Sequence, residues 1–179
     1  MNSDDFPEAA VVEALVVAWQ QRDFASFGSL LADDVTWYDP AMPNPPSKGR
    51  AAVLAFARTM IFAFPDIGFT VRSSVCWAPD GQTCAVPWHI TGTHSHRLDP
   101  PGFAPTGQVA AFDGLDLIHF REGLVYKIET FFDLAVPAEQ LLRIRLRPKP
   151  GNWRERILVF AQRRWAWFLR RRSKTRRDP

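Results

Sequence analysis

Leu31-Ala32-Asp33-Asp34-Val35-Thr36-Trp37-Tyr38-Asp39-Pro40 is the stretch from which the rest of the chain can be read. The branched and aromatic residues predict a strand over Val35–Asp39. On an extended chain Val35, Trp37 and Asp39 share one side, and Thr36 and Tyr38 the other. A carboxylate on that apolar side is costly to desolvate. Asp39 could instead open a turn before Pro40, a common use of aspartate, and both readings stand at this point. A second case follows in Phe112-Asp113-Gly114-Leu115-Asp116-Leu117-Ile118-His119-Phe120, which sets Asp116 inside an apolar strand. Two carboxylates aimed into one cavity push their pKa values apart, which gives a single site both a base and an acid.

Working outward, Glu8–Arg22 reads as a helix, with Val11, Val12, Leu15, Ala18 and Trp19 forming an apolar stripe at helical spacing. Asp23 breaks it, and Phe24, Phe27, Leu30 and Leu31 predict a short second helix. The prolines of Pro40–Ser47 predict an irregular loop at the mouth of a pocket. Gly49–Phe64 is a third helix, closed by Pro65-Asp66. The remainder is strand: Gly68–Ala78 and Thr83–His96 flank the Asp80-Gly81 turn, and Gln108–Phe120 and Leu124–Leu134 flank Arg121-Glu122-Gly123. Three helices followed by a run of strands is the order of an α+β fold. A cone-shaped, curved antiparallel sheet wrapped around the three helices is the packing expected.

Alternation sorts the strand faces. Trp88, Ile90, Gly92 and His94 share one side; Phe112, Asp116, Ile118 and Phe120 share another; Tyr126, Ile128, Thr130 and Phe132 share a third. A pocket between them would be lined by Trp37, Trp88, Ile90, Phe112, Ile118, Ile128, Thr130 and Phe132. The opposite face carries Leu115, Leu117 and His119, more apolar than a wetted face, which predicts a homodimer.

The net charge of +3 hides a split. Residues 1–142 carry 8 basic and 17 acidic side chains, and residues 143–179 carry 14 and 2. The chain therefore reads as a domain over 1–142 with a basic C-terminal extension over 143–179. Within the extension, residues 153–172 predict a basic helix in which Trp153, Ile157, Phe160, Ala161, Trp165, Phe168 and Leu169 fall on a broad apolar arc. Arginines and tryptophans at this spacing suit an anionic membrane surface. Docking on the acidic domain is the other reading, and the aromatic positions make nucleic acid the least favoured partner. No run of eighteen apolar residues occurs. The acidic start predicts no export signal, hence a cytoplasmic protein, possible at the membrane periphery through its tail. Cys76 and Cys84 are expected as buried free thiols. No metal-ligand spacing is present, and no cofactor is expected: no glycine-rich phosphate cradle occurs.

The order of these segments resembles the nuclear transport factor 2-like superfamily, and within it the ketosteroid isomerase-like and SnoaL-like cyclase groups. The likeness covers roughly residues 8–142. The segment Ala32–Pro40, followed by Gly49-Arg50, resembles the one whose Asp is the isomerase base. Phe112–Phe120 resembles the strand that supplies a protonated oxyanion-hole Asp, and Pro87-Trp88 matches a pair whose aromatic lines the pocket. Phe64-Pro65-Asp66, Gly92-Thr93-His94 and Pro105-Thr106-Gly107 resemble the SnoaL-like branch. The chain departs from both groups. Leu15, Leu31 and Ala57 align with the isomerase tyrosines, and Thr130 with the cyclase acid–base Asp.

The resemblance implies Asp39 as an ionised base and Asp116 as a neutral hydrogen-bond donor to an enolate. His94 or Trp88 would supply the donor the tyrosines no longer provide, and His94 also has the titration range for proton transfer. The expected reaction is acid–base work on a small apolar carbonyl compound, by isomerisation or cyclisation. The competing expectation is a ligand-binding or dimerisation module that performs no chemistry.

Overall fold

In the computed structural model, which describes residues 6–42, 45–146 and 151–175, the opening stretch folds as β1 (Leu31–Tyr38). Val35 and Trp37 are buried and Tyr38 is exposed, so the alternation is converted into burial. The exposed Asp33-Asp34 pair interrupts it, where the pairing register shifts between Leu31 and Thr36. Before β1 come α1 (Ala9–Gln21) and α2 (Phe24–Ser29); after it come β2 (Ser47–Lys48) and α3 (Arg50–Ala63). Then follow β3 (Gly68–Val71), β4 (Cys76–Trp77), β5 (Thr83–Thr93), β6 (Val109–Arg121), β7 (Leu124–Phe131), α4 (Ala135–Leu142) and α5 (Trp153–Thr175).

Local chemistry explains the helix boundaries. Asp23 caps α2, its Oδ1 accepting from the Ala25 and Ser26 N–H groups at 3.0 Å each. Gly49 takes φ +82 at the start of α3, and its N–H reaches the Val35 carbonyl at 2.7 Å. Arg50 then donates to the Leu31 carbonyl at 2.6 Å and pairs with Asp33 at 3.0 Å, fastening α3 to β1. Val12, Leu15, Val53 and Ala57 from α1 and α3 meet Val35, Val86, Ile118 and Ile128 from the strands in one buried core.

The sheet is curved, unclosed and mixed, in the order β2-β1-β7-β6-β5-β3, with β4 also paired to β5. The expectation of a purely antiparallel sheet is corrected at one pair: β1 runs parallel to β7, with Trp37 beside Ile128 and Tyr38 beside Glu129. No hairpin links these two strands, so no turn dictates their direction. Ser47, expected in an irregular loop, instead begins β2; Pro43 and Asn44 lie outside the described residues.

Three further expectations change. β7 ends at Phe131, and α4 follows it, an eight-residue helix the sequence did not announce. Tyr126 leaves the inner face because the register between β6 and β7 slips after His119: Lys127 pairs with His119 and Val125 with Phe120. Its ring lies near His119 and beneath the Arg121 guanidinium. Cys84 is buried, but Cys76 is exposed; both are free.

The chain divides into two compact units, 1–144 and 145–179. In the second, α5 exposes Trp153, Ile157, Leu158, Phe160 and Trp165. Among the described residues no helix is long and apolar enough to cross a membrane.

Candidate active site

The first unit encloses a cavity of about 610 Å³. Its walls are mainly aliphatic and aromatic, from Leu15 and Trp19 on α1, Phe56 on α3, Val86 on β5, and Leu141 on α4. Trp37, Asp39, Trp88, Ile90, His94, Phe112, Asp116, Ile118, Ile128, Thr130 and Phe132 all line it. The Phe112 and Phe132 rings meet at a tilt with centroids 4.9 Å apart, and Trp88 meets both, forming an aromatic wall.

Asp39 follows directly on β1, and Asp116 pairs with Thr130 of β7 on one side and Val86 of β5 on the other. Continuing the β1–β7 register by one residue past Tyr38 and Glu129 brings Asp39 to the level of Thr130. The two carboxylates thus flank the same residue of β7 from its two neighbouring strands. Asp39 is both buried and a turn residue: its Oδ1 accepts the Ala41 N–H at 2.7 Å, and its carbonyl accepts from Met42 at 3.0 Å. The two readings of Asp39 therefore describe one arrangement.

Burial pushes the Asp39 carboxyl up to about 7, opposed by the Ala41 N–H and reinforced by the nearby Asp116 charge. Burial also lifts Asp116 to about 6, opposed by hydrogen bonding from Thr130 and by the Trp88 indole N–H. The Trp88 N–H acts on the anion through its dipole, since it lies outside full hydrogen-bond geometry. Trp37 Nε1–H donates to Thr130 Oγ1 at 2.9 Å, and the Thr130 hydroxyl donates to Asp116 Oδ1 at 2.7 Å. The sequence marked Thr130 only as a lining residue. Its signal was a hydroxyl at an inward position between Ile128 and Phe132.

Gly114 is a second residue whose role was not read. A Cβ there would sit 2.2 Å from Cη2 of Trp88, so glycine is what lets the indole lie flat across β6. Leu15, Leu31 and Ala57, which the resemblance aligns with the isomerase tyrosines, are buried. The chain's two tyrosines lie elsewhere, Tyr38 exposed on β1 and Tyr126 outside the cavity wall.

His94 lines the same cavity as the two carboxylates and stands eight residues along the chain beyond Val86, the strand partner of Asp116. The His94 ring is buried and stacks on Phe64 at 5.2 Å, with Nδ1 3.4 Å from Thr106 Oγ1. Burial holds its pKa below the ordinary imidazole value, so the ring is neutral at pH 7. Among the described residues no group of three or more His, Cys, Asp or Glu side chains could hold a metal ion.

Residues 12–128 match the family of SnoaL-like domains. The chain belongs to that family. No curated protein matches it. Among solved structures it is similar to a candidate SnoaL-like polyketide cyclase from Jannaschia sp. CCS1, at TM-score 0.66 and 19% identity over 75% of this chain and 90% of that one. IdmH, a candidate polyketide cyclase from Streptomyces antibioticus, superposes with TM-score 0.62 and 23% identity over 77% and 99% of the two chains. AclR, a candidate hydroxylase from Streptomyces galilaeus, gives 0.62 and 20% over 76% and 96%. Identities this low show the fold alone.

The tripeptides that resemble the SnoaL-like branch converge on one corner of this SnoaL-like domain. Asp66 accepts from the Thr93 N–H at 2.7 Å and the Thr93 hydroxyl at 2.6 Å. Gly92 lies against Phe64 and Ile67, Phe64 stacks on His94, and the Gly107 N–H donates to the His94 carbonyl at 2.9 Å. These residues fasten the turn from β5 into the loop before β6. Those hydrogen bonds are architectural, while His94 Nε2 is buried without a hydrogen-bond partner among the described residues.

Proposed function

We propose that this SnoaL-like domain performs cofactor-independent acid–base chemistry, of isomerase or cyclase type, on a small, largely apolar carbonyl compound. One observation carries the reading: Asp39 and Asp116, both with pKa values raised by burial, line the same apolar cavity. Between about pH 6 and 7 such a pair holds about one proton between its two groups, and so offers a base and an acid together. One carboxylate takes a proton from the carbon next to a carbonyl. The other hydrogen-bonds the oxygen on which charge develops, a contribution of about 3–4 kcal/mol in comparable sites. Return of the proton to another carbon completes an isomerisation and restores the pair.

The test is hydrogen–deuterium exchange, followed by NMR, on cyclic enones and β-keto esters. Wild-type protein should catalyse exchange at the acidic carbon, and Asp39→Asn and Asp116→Asn should each lose it by about a hundredfold or more. Ligand binding that survives both substitutions, with no exchange on any compound, would favour the module that only binds. The apolar walls alone support that second reading.

Two partners complete the proposal. Leu115 and Leu117 are half-buried on the outer face of β6, which supports a second copy of the chain as their cover. Sedimentation equilibrium would show a dimer, and a monomer at high micromolar concentration would refute it. Exposed Ile157 and Phe160 beside Arg156 and Arg163 on α5 support an anionic membrane surface as the partner of 153–172. Sedimentation with phosphatidylglycerol vesicles but not with phosphatidylcholine vesicles is the expected result, and equal binding to both or to neither would oppose it.

A further inference from the structure

Two carboxylates in one cavity differ in what surrounds them, and the hydrogen bonds around Thr130 distinguish them. Thr130 is buried, at 3% exposure. An indole nitrogen can only donate, so at the 2.9 Å contact with Trp37 the Thr130 oxygen is the acceptor. The Thr130 hydroxyl hydrogen then has a single acceptor among the described residues, Asp116 Oδ1 at 2.7 Å. Asp116 Oδ1 is thereby held as an acceptor, a proton on this carboxyl could sit only on Oδ2, and the Thr130 hydroxyl together with the nearby Trp88 N–H favours the anion. The relay therefore runs one way, from Trp37 through Thr130 to Asp116, each bond polarising the next. Asp39 accepts only the Ala41 N–H, and its Oδ2 has no hydrogen-bond partner among the described residues.

We infer that Asp116 carries the negative charge and acts as the base, that Asp39 holds the shared proton, and that Thr130, oriented by Trp37, is the positioning residue that fixes this order. The resemblance implied the opposite assignment. The substrate would lie with its acidic C–H at Asp116 and its carbonyl oxygen at Asp39. Asp116 takes the proton, the C–H electron pair enters the enolate, and the Asp39 O–H hydrogen-bonds the oxygen. Asp116 then gives the proton to a different carbon and is again a carboxylate. Asp39 and Cys84 are the titratable groups that feel the Asp116 charge, and the Cys84 thiol, pushed up to about 12 mainly by burial, stays neutral. The pKa values of about 7 for Asp39 and about 6 for Asp116 run in the same direction.

The assignment gains its chemical meaning from the proposed acid–base function, but its test needs no substrate. Carboxyl carbons of the aspartates are titrated by 13C NMR, with Asp39→Asn and Asp116→Asn identifying the two signals. Asp116 should titrate below Asp39 in the wild type. Thr130→Val should raise Asp116 by about one unit or more, closing or inverting the gap to Asp39. Thr130→Ser should restore it, and Trp37→Phe should move Asp116 the same way by less. A purely structural Thr130 would cost stability without moving the order. Asp39 titrating first, or Asp116 unmoved in Thr130→Val, overturns the assignment. If Thr130→Val does not fold, an unmoved Asp116 in Trp37→Phe overturns it equally. Absence of turnover would sink the proposed function and leave this order standing, whereas turnover with the order reversed would sink only the order.

Discussion

The carboxylate end of the cavity and the corner around His94 use polar groups in opposite ways. At the corner, Asp66, Thr93, Thr106 and Gly107 meet partners already present in the chain, and each hydrogen bond fixes a turn. At the carboxylate end, Asp39 is buried and Asp116 half-buried, each with one oxygen in a hydrogen bond and the carboxyl turned to the cavity. The corner contains the tripeptides that resemble the SnoaL-like branch, and the carboxylate end combines the two aspartates that resemble the isomerase group with the departure at Thr130. Fold and chemistry are thus written in different residues, and a likeness in the first says little about the second.

The largest test of this contrast is pH. A carboxyl whose folded pKa lies above its unfolded value binds more protons when folded, so stability falls as pH rises between the two. For Asp39 that window runs from 3.8 to about 7. Asp39 should contribute a loss on the order of 4 kcal/mol across it, and Asp116 about 3 kcal/mol between 3.8 and about 6, measured by urea unfolding. Asp39→Asn should remove the larger share, leave that of Asp116, and be the more stable protein at pH 8. A flat profile would erase the distinction between the two ends.

Next in size is Gly114→Ala, which forces a methyl into space held by the Trp88 indole. A loss of about 2–3 kcal/mol in thermal unfolding is expected. Displacing Trp88 also removes its N–H dipole from Asp116, so the Asp116 titration should rise. An unchanged titration would mean that the indole does not tune the carboxylate.

The smallest effect should come from the corner. Asp66→Ala removes two hydrogen bonds to Thr93 at an exposed position, at a cost of about 1–2 kcal/mol. Amide exchange should quicken across residues 94–107 while both cavity carboxylates titrate as before. Movement of either titration would show that the two ends are coupled, and the contrast would fail.

Most of the fold was legible because its signals are local. Alternation at Val35, Trp37 and Asp39, the Asp80-Gly81 turn and the apolar stripe of α1 each lie within a few residues. What was missed depends on distant partners or small slips. The parallel β1–β7 pair joins strands some ninety residues apart, with nothing between them to set direction. Tyr126 was placed on the wrong face because one slipped residue defeats a strict period of two. The short helix α4 carries Pro137 in its first turn, where proline is tolerated but reads from sequence as a breaker. At the site, residue types revealed the candidates. The Trp37–Thr130–Asp116 relay stayed hidden, because which way a hydroxyl points is decided by neighbours from two other strands.

The parallel seam also has a consequence in time. The Trp37–Thr130 hydrogen bond closes a loop of 93 residues. An N-terminal fragment ending before β7 can carry α1, β1 and Asp39 yet lacks the strand that joins Asp39 to Asp116. During synthesis the two carboxylates therefore meet only after almost the whole first unit has emerged, and long closures of this kind are slow to form. Acid–base competence would be the last property the domain acquires as it folds.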